Sequence, residues 1–70
     1  MIGEHDVFIL LEDLNPNIIE GMRGVCLQVY PNEVLVEFVK KDGTNYEYQG
    51  QEMFTIKKDL VKVTWSRNEN

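Results

Sequence analysis

Seventy residues with 12 acidic and 7 basic side chains, for a net charge of −5, make one small domain whose own field opposes polyanions such as nucleic acid. A folded chain of this size hides only about 60% of the surface that its unfolded form exposes, so one core needs most of the apolar residues. Alanine is absent while Val, Ile, Thr and aromatic residues are plentiful, which argues against a helical bundle and for an all-β domain. Cys26 and His5 are each the sole residue of their type, so neither an internal disulfide nor a zinc-binding spacing is available. With no apolar run near the ~20 residues of a membrane span and no secretion signal at the start, the expectation is a soluble cytoplasmic protein without metal or cofactor.

The first predicted strand covers His5 to Leu11, with Val7, Ile9 and Leu11 on one face and Phe8 and Leu10 on the other. Both faces are apolar, so the strand is either covered on both sides or carries a contact surface. Glu12 to Glu20 is the longest connection, because Asn15-Pro16-Asn17 forbids a regular strand. Leu14 is expected to fold back as a lid on the core, while Ile18 and Ile19 are read equally as lids or as contacts of a partner-binding loop over Asp13 to Ile19.

Glu20 to Val39 reads as a turn feeding two consecutive strands. Val25, Leu27 and Val29 alternate with Cys26, Gln28 and Tyr30, and after Pro31-Asn32 the residues Val34, Val36 and Phe38 share a face. Gly21 and Gly24 precede this hairpin, and one of them is expected at a positive φ. Lys41-Asp42-Gly43-Thr44 is a turn signal leading into a fourth strand over Asn45 to Ile56, bent at Gly50. Lys57-Lys58-Asp59 has the length of one 3₁₀ turn, and Leu60 to Trp65 closes the fold. The domain is placed at residues 1–65, with 66–70 a disordered polar tail. The predicted core is Val7, Ile9, Val25, Leu27, Val34, Val36, Phe38, Val61 and Val63. Five short strands in this order predict a small SH3-like barrel, since the six residues from Lys40 to Asn45 are too few for the helix of an OB-fold.

The ordered segments His5-Asp6-Val7, Leu11-Glu12-Asp13-Leu14, Gly21-Met22-Arg23-Gly24-Val25, Val29-Tyr30-Pro31, Val36-Glu37-Phe38, Asp42-Gly43 and Lys58-Asp59-Leu60 resemble the small bacterial family known only as domain of unknown function 4926. The resemblance runs from about His5 to Val63 and departs at Asn45 to Glu52, which is longer and richer in tyrosine than the family pattern. It implies an SH3-like barrel of bacterial origin and carries no activity.

Catalysis is not expected: Cys26 sits mid-strand as a packed small residue, His5 is far from it in sequence, and no catalytic residue is assigned. The expected function is a non-catalytic protein-interaction module, either an accessory subunit or an antitoxin- or immunity-type binder of a basic partner. Its candidate surface comprises Phe8, Leu10, Tyr30, Leu35, Val39, Tyr46 and Tyr48, rimmed by Glu12, Asp13, Glu37 and Glu47, and facing another protein or a second copy of this one. The alternative is a small RNA-binding barrel in which the tyrosines stack bases, a reading that the charge balance opposes.

Overall fold

The computed structural model describes residues 2–66. Five antiparallel strands, β1 (Val7–Leu10), β2 (Arg23–Val29), β3 (Glu33–Phe38), β4 (Met53–Lys57) and β5 (Val61–Trp65), form one sheet. Its spatial order is β4-β3-β2-β1-β5. The first four strands meander, and after a 3₁₀ turn at Lys58–Leu60 the last returns to the far side of β1. The sheet is not closed, and β4 and β5 are its edges. Among the described residues no helix is long and apolar enough to cross a membrane.

The inner face carries the core. Register places Val63, Phe8, Gly24 and Phe38 in one row, Cys26, Val36 and Phe54 in a second, and Val29, Val34 and Ile56 in a third. Phe8, Cys26, Val34, Val36 and Phe38 have no exposed surface, and Ile2 from before β1 and Ile18 from the loop before β2 join the same buried cluster. Phe38 meets Phe8 edge-on at 5.7 Å and Phe54 at 5.9 Å between ring centroids, so one ring links inner-face residues of β1, β3 and β4.

Two of the predicted strand faces are inverted. Val7 and Ile9 were assigned inward, as were Val25 and Leu27, yet all four are only half-buried, and Phe8, Leu10, Gly24 and Cys26 point inward instead. The reason lies at Gly24, which faces Phe8 across the ladder and leaves the space that the Phe8 ring fills. A β-bulge then breaks the alternation of β2. Cys26 pairs with Val36 and Gln28 with Leu35, so Leu27 is the extra residue and Val29 returns to the inner face. Val25, Leu27 and Val29 therefore never shared a face.

The loop after β1 is shaped by Asn15, whose Oδ1 accepts from the amides of Asn17 and Ile18 at 2.9 Å each. This Asx turn sends Ile18 fully into the core with Leu14 packed beside it, while Ile19 stays 44% exposed. Gly21 has the expected positive φ, at 89°; Gly24 does not, and is required for space instead. The predicted fourth strand is shortened. Only Met53–Lys57 is strand, and residues 45–52 hold two isolated bridges, Val39 to Asn45 and Tyr48 to Gln51, around a turn where Gln49 and Gly50 take positive φ.

The chain before β1 also joins the core, which sequence reasoning missed. Asp6 is buried, and its carboxylate accepts from the Gly3 amide at 2.7 Å and the Ser66 hydroxyl at 3.1 Å, fastening a segment that tucks in Ile2. Ser66, assigned to the tail, is thus held in place; residues 67–70 lie outside the described residues.

Candidate functional site

Once the inner face is fixed, the opposite side chains define an outer face of the sheet. One row crosses all five strands as Trp65, Val7, Val25, Glu37 and Met53. Its ends are open, Trp65 being 47% and Met53 52% exposed, and its middle is half-buried. Leu35 stands one outer row away, opposite Gln28 and Thr55. In the other direction the row runs Lys62, Ile9, Arg23, and then Val39, whose amide donates to the Arg23 carbonyl at 3.1 Å. Seven apolar side chains on one face of a 70-residue domain are more than scattered surface residues would provide.

At the Arg23 end the outer face runs into a groove. It is lined by Ile9 and Val39 of the outer face, by the loop from Ile19 to Met22, and by Lys40 and Lys41 with Tyr46. The Lys40 ammonium lies 5.3 Å from the centroid of the Tyr46 ring, a cation–π contact that places its charge at the groove. The turn that carries both lysines is well fastened. Asp42 Oδ1 accepts from the Thr44 amide at 2.9 Å and its hydroxyl at 2.6 Å, and these bonds, with Lys40 nearby, hold the Asp42 carboxyl below its usual range.

Of the seven residues singled out from the sequence, Phe8 and Leu10 are corrected: at 0% and 1% exposure they belong to the core. Leu35 and Val39 are on the outer face but on opposite sides of the Glu37 row, so only Val39 and Tyr46 come together, in the groove, and Leu35 stands apart from them. Tyr48 is half-buried against the core, and Tyr30 is 37% exposed in the β2–β3 hairpin at the opposite end. The expected carboxylate rim is dispersed. Glu37 is on the outer face, bonded to the Asn45 amide nitrogen at 2.8 Å, whereas Glu12 lines a separate groove with Leu14 and Leu60. Sequence reasoning missed Trp65, Met53, Val7 and Val25, which become visible only when Gly24 is recognised as the gap for Phe8.

Cys26 lies on the inner side. Burial pushes its thiol pKa up, and its Sγ–H points to the Gln28 carbonyl at 3.7 Å. The amide of exposed His5 donates to the Cys26 carbonyl at 2.7 Å, so the two residues are joined through their backbones. A folded-state pKa raised above the unfolded one makes stability full below the unfolded thiol pKa, about 8.5, and lost as pH rises toward the folded value. Wild type should therefore lose denaturation midpoint above about pH 8.5, and Cys26→Val should flatten that decline. Native protein should also fail to react with a thiol-specific chromophoric disulfide until unfolded; rapid labelling of the folded protein would show the burial to be wrong.

No family model, curated protein or solved structure matches the chain.

Proposed function

We propose that this protein is a non-catalytic protein-interaction module of SH3-like architecture whose working surface is the outer face of the sheet. The observation that carries this reading is the row Trp65, Val7, Val25, Glu37 and Met53, apolar at four of its five positions, with half-buried residues in its middle and the large side chains Trp65 and Met53 exposed at its ends. Exposed Trp and Met are the residue types that anchor interfaces, because their large side chains gain most from losing water. The SH3-like assignment is supported by the strand order, with a meander of four, a 3₁₀ turn, and a fifth strand returning beside the first. The segments that resemble domain of unknown function 4926 are spread from the entry to β1 through the turn into β2, the β2–β3 hairpin and β3 to the 3₁₀ turn, mostly at turns and strand ends; membership in that bacterial family is proposed on those segments alone. A cytoplasmic setting suits a lone reduced cysteine.

The test is capture from the native host with immobilised wild type and with a Met53→Ser, Trp65→Ser variant. Both side chains are about half exposed, so the variant should melt within a few degrees of wild type. A protein retained by wild type and lost with the variant supports the reading. Equal retention, or none by either, overturns it. The groove cations and Tyr46 favour a second reading, RNA binding, which would appear as captured RNA released by salt.

A further inference from the structure

Resting on the reading above, we infer that the groove at the Arg23 end receives an acidic segment of the partner, one in which carboxylates flank a bulky apolar side chain. The inference turns on charge. The chain as a whole has 12 acidic and 7 basic residues, yet this groove is lined by Arg23, Lys40 and Lys41 against the carboxylate of Glu20, Asp42 beside Lys41 is held by Thr44, and Lys62 adjoins Ile9 in register. An acidic protein thus presents a locally cationic groove, the reverse of the basic partner that its composition suggested.

The cations sit on built elements. Arg23 opens β2, while Lys40 and Lys41 begin the turn fastened by Asp42, and Lys40 is further placed by Tyr46. The apolar half of the match is Ile9 and Val39 with Ile19, which is 44% exposed although Ile18 beside it is fully buried. A carboxylate-bearing peptide meets both halves together: its acids reach the ammonium and guanidinium groups, and its apolar residue covers Ile19. Continuity with the outer face lets the same partner span both. A long polyanion fits less well, because its phosphates would run beyond the groove onto a surface carrying the net −5.

The probe is a short labelled peptide alternating Asp and Glu with Leu and Phe, followed by fluorescence anisotropy at low salt. Its controls are the same peptide with Lys at the acidic positions, and oligouridylate. Binding of the acidic peptide alone is expected, weakened by salt and reduced at least about tenfold by Lys41→Glu with Arg23→Glu. Ile19→Ser should also weaken it, and Lys41→Glu alone serves if the double variant melts low. Binding unchanged by charge reversal, no binding at all, or preference for the lysine peptide overturns the inference. Preference for oligouridylate overturns it in favour of nucleic acid. If host capture depends on Trp65 and Met53 while the groove variants change nothing, this inference fails and the interaction module stands; if capture is indifferent to Trp65 and Met53, the module reading itself falls.

Discussion

Phe38→Ala is expected to leave the protein unfolded at room temperature. Phe38 has no exposed surface and its ring meets both Phe8 and Phe54, so truncation removes a side chain that joins β1, β3 and β4 across the inner face. Phe→Ala at such a site costs about 3–5 kcal/mol, from lost transfer energy plus the cavity that remains. A single core in a domain this small supplies roughly the same amount in total. The sheet also has little means of collapsing around the gap, since Val36 and Val34 on the same strand are already enclosed. Circular dichroism should show no cooperative melt for Phe38→Ala, whereas Phe38→Leu, which keeps most of the volume, should retain one at a lower midpoint. A Phe38→Ala protein melting close to wild type would mean that the ring is not central to the core.

The residues that made β3 legible explain why β1 and β2 were not. In β3 the two outer positions Glu33 and Glu37 are charged and only Leu35 between them is apolar, against Val34, Val36 and Phe38 on the other face, so the inner face could be read from period two. In β1, Phe8 and Leu10 compete with Val7 and Ile9, and hydrophobicity cannot choose between two apolar faces. The choice is made across the ladder by Gly24, a long-range effect that no window along the chain contains. In β2 the bulge at Leu27 adds one residue and reverses the parity, so a regular-looking alternation joins residues from opposite faces. The turns were legible because their chemistry is local: the side-chain oxygens of Asp42 and Asn15 accept from backbone amides two or three residues on. Asn45 to Glu52 was drawn as strand because its tyrosines alternate, but Gln49 and Gly50 at positive φ end the pairing. The groove was hidden for another reason. Arg23 is remote in sequence from the Lys40-Lys41 pair, and either taken alone looks like a solvated surface feature.

Gly24→Ala is the sharper test of that account, because it adds a single carbon. A Cβ built there would lie 2.5 Å from Phe8 Cζ and 2.8 Å from the Glu37 carbonyl oxygen, both closer than real Cβ contacts allow. Neither neighbour can easily withdraw. The Phe8 ring is fully buried and edge-on against Phe38, and the Glu37 carbonyl belongs to the central β2–β3 pair. Overpacking of this kind costs about 1–3 kcal/mol and more where backbone must move, a large fraction of what a small domain holds. The cost should fall when the ring is cut back, so Gly24→Ala combined with Phe8→Leu should be more stable than the sum of the single effects by about 1 kcal/mol. Recovery should stay incomplete, because the carbonyl contact remains. Chemical denaturation of the four proteins in this cycle reads the coupling directly. If the two substitutions prove additive, Gly24 and Phe8 are not packed together, the inner face of β1 is drawn wrongly, and the row of Trp65, Val7, Val25 and Met53 loses its claim to be the outer one.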